Sequence, residues 1–297
     1  MNIAVTGATG FLGRYIVNHL LGEGHHCRCW HRPGSDRGGF RESGGQLEWL
    51  PGRLNDPTAT DAVVRGMDAV VHAALDRPGA GFTGAEGDLV AFVDTNLLGT
   101  LRLIEAARGA GVGRFIFIST CAVHDVILQD RPLDETHPTW AKSHYGAHKA
   151  AIEEFIHSFG FGRQYDICAL RPTGIYGPAR PARESKWYEL VHTVKAGRPV
   201  HSAAGGKEVH AADVAKAVGI LLTADGIAGQ SYNCYDRYIS DEQVARIARE
   251  LTGSSSDISD QNRGPKNQIV TEKLRSLGMS FGGEALLRDT VRQMLEQ

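Results

Sequence analysis

Paired cysteines, metal-ligand clusters and membrane-length apolar runs are all missing from this chain of 297 residues. Its five cysteines (Cys27, Cys29, Cys121, Cys168 and Cys234) are odd in number, and no CxxC occurs among them. No disulfide framework is expected. Thirteen histidines are present. None forms HExxH or joins a cysteine at zinc-ligand spacing, so no metal site is expected either. No apolar segment approaches the length that spans a bilayer. The first residues read as a strand, without the regions of a secretory leader. The formal net charge is -2, which leaves no basic surplus to attract nucleic acid or an anionic membrane. The expectation is a cytoplasmic protein whose partner is a small molecule.

What the chain does have is alternation. "NIAVTG", "HCRCW", "LEWL", "DAVVHAA", "RFIFIST" and "YDICALRP" read as short strands. Amphipathic stretches at Phe11–Leu21, Leu89–Ala110 and Trp140–Phe159 lie between them. This order predicts an α/β fold, a Rossmann-type doubly wound parallel sheet. Beyond Pro172 the pattern changes. "TGIYGPARPAR" reads as loop, Lys186–Gly197 and Asp241–Thr252 as helices, and residues 253–268 as a linker. The expected division is a dinucleotide-binding domain over 1–171 and a smaller C-terminal substrate lobe over 172–297, with segments from 210–235 returning to the sheet.

The stretch between the first strand and the first helix is "TGATGFLG". Glycines there have a physical use. Gly7 permits a tight turn, Gly10 lets the backbone approach a pyrophosphate, and Gly13 lets the helix pack close. The helix N-terminus then offers free N–H groups and a positive dipole end to phosphate. Farther on, "YGAHK" places Tyr145 and Lys149 four residues apart, on one face of a helix. A free tyrosine has a pKa of about 10, and a nearby ammonium makes it a better acid/base.

The spacing of Gly7, Gly10 and Gly13 resembles the fingerprint of the extended short-chain dehydrogenase/reductase family, also called the NAD-dependent epimerase/dehydratase family. "DAVVHAA", "NLLGT", "LRPTGIYGP" and "VHAADVAKAV" are similar to further signatures of that family. The resemblance implies that Thr9, Phe11 and Leu12 line the cofactor loop with the glycines. It also implies that Leu54, Ala73, Ala74 and Asn96 lie beside the cofactor, and that Pro172, Gly174 and Ile175 lie near its carboxamide end. Thr120 becomes the hydroxyl partner of Tyr145 and Lys149, while Ser119 meets the cofactor or the strand end. Lys149 also holds the nicotinamide ribose.

At the end of the second strand stand His31 and Arg32, with no acidic residue until Asp36. An acid here reads the ribose of NAD and an arginine accommodates the extra phosphate of NADP. With Arg14 just after the glycine loop, the expectation is NADP, with NAD possible. Arg53 stands where the family often has an adenine-binding Asp. His124 and Asp125 depart from the family's usual Tyr and Gly. Cys121 and Ala122 follow Thr120, where sugar-nucleotide 4,6-dehydratases of this family carry an Asp-Glu pair, so that elimination is disfavoured. The reading is an oxidoreductase acting on a small ketone or sugar. Two alternatives stand beside it: an epimerase that retains its cofactor, and an NADP-sensing module without catalysis. A homodimer is possible.

Overall fold

Strand β1 (Asn2–Thr6) buries four of its five residues. Its neighbours β2 (His26–His31), β3 (Leu47–Pro51), β4 (Ala69–His72), β5 (Arg114–Ile118) and β6 (Asp166–Pro172) are similarly short. Near-continuous apolar runs such as AVVH and RFIFI suit strands covered on both faces. With β9 (Gln230–Cys234) they form one seven-stranded sheet in the order β3-β2-β1-β4-β5-β6-β9. Every pairing in it is parallel. This computed structural model describes residues 1–77, 86–259 and 264–296. Residues 260–263 of the expected linker lie outside the described residues.

The chain divides into two units. The first comprises Met1–Pro172, Val214–Cys234 and Ile269–Met279. Helix α1 (Phe11–Gly22) follows β1, and α2 (Pro57–Val64) follows β3. Asp56 caps α2 by accepting from the Ala59 N–H at 3.1 Å, with proline at the first helical position. The expected helix at Leu89–Ala110 is α3 (Leu89–Val93), a π turn (Asp94–Leu98) and α4 (Gly99–Gly109) run together. Helix α5 (His144–Arg163) starts four residues later than the apolar pattern implied, because Ser143 caps it: its hydroxyl accepts from the Gly146 N–H at 3.1 Å. The core of this unit packs Val63, Val70, Leu103, Ile104, Phe115 and Ile152.

Ile269–Met279 was expected in the C-terminal lobe and instead belongs to the first unit. Its tethers explain this. The Val270 N–H donates to the Leu133 carbonyl at 3.0 Å. The Val270 carbonyl accepts from Asn233 at 3.2 Å, and Lys273 donates to Gln230 at 2.7 Å.

The second unit comprises Thr173–Asp213, Tyr235–Gln268 and Ser280–Gln297. It holds a three-stranded sheet, ordered β10-β8-β7, of β7 (Gly174–Tyr176), β8 (Gly205–His210) and β10 (Arg237–Ser240). The sequence pattern gave loop at β7 and no strand at β8 or β10. Three to six residues with glycines among them carry too little periodicity to be read. Helices α6 (Tyr188–Lys195), α8 (Asp241–Thr252) and α10 (Gly283–Glu296) supply Val191, Val244 and Leu287 to its core. Helix α7 (Ala211–Leu221) begins in this unit and continues in the first.

Candidate active site

The glycine loop is built on close approach. Gly7 has φ +73°, and a Cβ there would lie 2.6 Å from the Ala73 carbonyl carbon. A Cβ on Gly13 would lie 2.1 Å from the Gly7 oxygen, so α1 can sit this near the loop only with glycine there. The Gly10 N–H donates to the Gly7 oxygen at 3.0 Å. Gly10, the N-cap of α1, has no side chain to offer the first turn, and no acidic residue stands in that turn. The N–H groups of Phe11 and Leu12 and the helix dipole are thus presented without an internal anion. This cradle fits a dinucleotide pyrophosphate. Phe11 packs edge-on against Tyr15 with ring centroids 5.5 Å apart, and Thr9 is half-buried.

The end of β4 is fixed from below. His72 shares hydrogen bonds with Thr6 (2.6 Å) and Thr100 (2.8 Å), and Thr100 donates to the Asn96 carbonyl at 2.5 Å. Burial pushes His72 down to about 3, so its ring is neutral and links the two hydroxyls. The Ala74 N–H donates to Thr6 Oγ1 at 3.3 Å. Asn96 sits in the π turn and clamps Asp76 from both sides. Its Oδ1 accepts from the Asp76 N–H at 2.7 Å and its Nδ2 donates to the Asp76 carbonyl at 2.8 Å. Leu54 is buried in the core.

The two arginines assigned to a ribose phosphate already hold carboxylates. Arg14 donates to the Asp36 carboxylate at 3.2 Å and to the Asp36 and Gly38 carbonyls at 2.9 and 3.1 Å. Arg32 donates to the Asp76 carboxylate at 3.1 Å. His31 packs against Trp49 with ring centroids 6.2 Å apart.

At the end of β5 the chain turns into a short 3-10 helix, Cys121–Val123, and Thr120 accepts from the Ala122 N–H at 3.1 Å. The start of α5 rests against this turn. A Cβ on Gly146 would lie 2.5 Å from the Ala122 oxygen, so glycine lets the helix bring Tyr145 up to Thr120. The Glu86 carboxylate accepts from the Tyr145 N–H at 3.2 Å. Burial raises the Tyr145 phenol above its ordinary value; a hydrogen bond with Thr120 and the charge of Arg77 pull the other way. Lys149 is buried, donates to the Ile118 carbonyl at 2.7 Å and lies 4.3 Å from the Phe117 ring centre. Burial pushes its ammonium down to about 7, while Glu153 pulls it up. The structure thus brings Thr120 and Tyr145 together and places Lys149 one turn below.

Ser119 lies at the end of β5. Its hydroxyl donates to the Glu153 carboxylate. Glu153 also takes Ser231 at 2.9 Å and two Arg171 contacts from Nε at 3.1 and 2.8 Å. A further Arg171 contact, from Nη2, is 2.5 Å long, and both side chains are 2% exposed. Arg171 reaches on to His124 at 3.2 Å, and the Glu135 carboxylate accepts from the Asn233 N–H at 2.7 Å. Apart from Ser119, none of this network was among the expected site residues. One signal could have found it: Glu153 continues the Tyr145–Lys149 face by one more turn, and Arg171 interrupts an apolar strand. Two charges on buried faces must meet each other. Pro172 ends β6, whereas Gly174 and Ile175 lie on β7 of the second unit, paired with Glu208 and Val209. Cys121 donates to the Arg171 carbonyl at 2.9 Å, and burial pushes its thiol up to about 12.

A glycine cradle beside a Thr-Tyr-Lys constellation is matched at family level. The model of the NAD dependent epimerase/dehydratase family matches residues 3–234. This chain belongs to that family. Among epimerase/dehydratase relatives, it is 30% identical over 196 residues to the 3 beta-hydroxysteroid dehydrogenase/Delta 5-->4-isomerase of Mycobacterium tuberculosis, covering 64% of this chain and 51% of that one. It is 29% identical to the UDP-glucose 4-epimerase of Rhizobium leguminosarum, covering 63% and 56%. The chain spans about half the length of these relatives. The crystal structure of Thermus thermophilus UDP-glucose 4-epimerase in complex with NAD superposes with a TM-score of 0.79 at 25% identity, over 99% of both chains. Among the described residues, no helix is long and apolar enough to cross a membrane.

Proposed function

We propose that this member of the family is an oxidoreductase. It transfers hydride between a nicotinamide dinucleotide and a carbonyl or carbinol carbon of a small ketone or sugar. The observation that carries the reading is the meeting of Thr120 and Tyr145 above a buried Lys149, in the same unit as a helix N-terminus that presents its N–H groups. The bound nicotinamide supplies or accepts the hydride. The chain's own residues handle the proton and the oxygen. Thr120 hydrogen-bonds the substrate oxygen and orients it. Tyr145 gives its proton to that oxygen in reduction and takes it back in oxidation. Lys149 holds the nicotinamide ribose. Gly7, Thr9, Gly10, Phe11, Leu12 and Gly13 hold the pyrophosphate. Ala73, Ala74, Leu54 and Asn96 shape the neighbouring wall.

A second reading is a sugar epimerase that oxidises and re-reduces one carbon with retained cofactor. The UDP-glucose 4-epimerases among the relatives favour it. The experiment that decides measures reduced cofactor against product, with cofactor release checked on the denatured protein. Stoichiometric loss of NADH or NADPH with a carbonyl substrate, by a protein purified nearly free of cofactor, supports the reductase. Interconversion of sugar epimers with firmly bound cofactor and no net redox change supports the epimerase. Dinucleotide binding with no turnover of either kind would leave a sensing module.

A further inference from the structure

Arg32 follows β2 and Asp76 follows β4, and these are the two strands that flank β1. Their ion pair at 3.1 Å bridges the neighbours of the strand that leads into the glycine loop. The two side chains are 64% and 55% exposed, so water screens the pair and it opens cheaply. The backbone beneath it is not loose. Asn96 holds the Asp76 N–H and carbonyl at 2.7 and 2.8 Å, which stations the carboxylate opposite Arg32. The Nη1 that Asp76 holds is one of the two donors of the terminal guanidinium fork, so a phosphate binding in that fork competes with the carboxylate. In this chain an anion is already supplied from within.

We infer that Asp76 is a coenzyme-selectivity residue: it occupies Arg32 in competition with the 2′-phosphate of NADP(H) and so tilts the site toward NAD(H). The inference rests on the dinucleotide reading above. It explains why an arginine stands where the sequence points to NADP while the structure gives that arginine no idle charge. NAD(H) carries a hydroxyl at this position and does not contend for the guanidinium. NADP(H) must displace Asp76 before Arg32 can pair with its phosphate. Arg14 sits in the same situation, held by Asp36 at 3.2 Å. Its bonds to the Asp36 and Gly38 carbonyls tie it down further, which makes Arg32 the arginine that can respond.

The test is fluorescence titration of NADH and NADPH at low salt, on the full chain. It uses wild type, Asp76→Asn, Arg32→Ala and the double variant. Asparagine keeps the shape and the two main-chain bonds to Asn96, so the fold is retained; far-UV circular dichroism checks it. The expected result is a drop in the NADPH dissociation constant of about two- to five-fold in Asp76→Asn, the range an exposed ion pair controls. The ratio of the NADPH to the NADH constant falls with it, and the gain disappears in the double variant. An unchanged NADPH constant in Asp76→Asn, equal tightening of both cofactors, or a gain that persists without Arg32 would overturn the assignment. A folded wild type that binds neither cofactor would instead overturn the dinucleotide reading itself, and the inference with it.

Discussion

Arg171 and Arg32 each meet a carboxylate in the same unit, in opposite surroundings. The Arg171–Glu153 pair is 2% exposed on both sides, whereas the Arg32–Asp76 pair is 64% and 55% exposed. One is sealed behind β5, β6 and β9 and takes two serine hydroxyls as well. The other is open to water. Geometry alone does not separate them, since both lie within hydrogen-bonding distance. Surroundings do: removing water makes breaking a pair expensive, and leaving water in makes it exchangeable. The buried pair therefore holds the catalytic end of the unit in place, and the exposed pair is free to answer a ligand.

Five substitutions, one of them a rescue, sharpen or break this contrast, from the largest effect to the smallest. Glu153→Leu strands the Arg171 guanidinium and is expected to destabilise the fold by about 3–5 kcal/mol in urea unfolding. Pairing it with Arg171→Met should recover most of that loss; failure to recover would show that the serine contacts, not the charge pair, carry the stability. Lys149→Met removes a buried ammonium and is expected to stabilise by about 3 kcal/mol at pH 6. The sign follows from burial lowering Lys149 to about 7. Between that value and its unfolded value the unfolded chain binds the extra proton, so wild-type stability rises with pH. The advantage of Lys149→Met must shrink across the same window, and a pH-independent difference would contradict it.

Tyr145→Phe keeps the ring and removes the proton. Turnover should fall by about 100-fold or more in steady-state assays, with dinucleotide titration showing binding retained. Normal turnover would remove Tyr145 from the mechanism. Arg32→Ala is expected to change unfolding free energy by less than about 0.5 kcal/mol. A larger loss would mean that the exposed pair is a structural brace, and the contrast with Arg171 would collapse.

The parts of this architecture that follow periodic rules were readable in advance. Strands β1, β4, β5 and β6 announce themselves as apolar runs, and the glycine loop and Tyr145–Lys149 have fixed spacings with physical reasons behind them. Beyond these the reading thins. Strands β7, β8 and β10 are too short to show a period, and β7 and β8 also carry glycine. The NADP expectation came from Arg32 and Arg14; the counter-ion of Arg32 follows another strand, and a partner 44 positions away leaves no local trace. The same holds for Ser119, whose hydroxyl turned inward to a carboxylate 34 positions on. The Asn96 side chain was placed beside a cofactor by resemblance. It bonds the Asp76 backbone and the Phe92 carbonyl.

The outermost strand beside β6 is β9, and the chain reaches it only after Thr173–Asp213 has been made. During synthesis the sheet therefore waits with β6 as a raw edge, a ladder of N–H and C=O groups ready to pair with whatever strand arrives. Glu153 waits as well, since Ser231 comes with β9. A fragment stopped at Pro172 would carry Tyr145 and Lys149 yet keep that sticky edge for good. Truncation to a minimal dinucleotide-binding piece should therefore give aggregates, because the strand that closes this edge is made only after Thr173–Asp213.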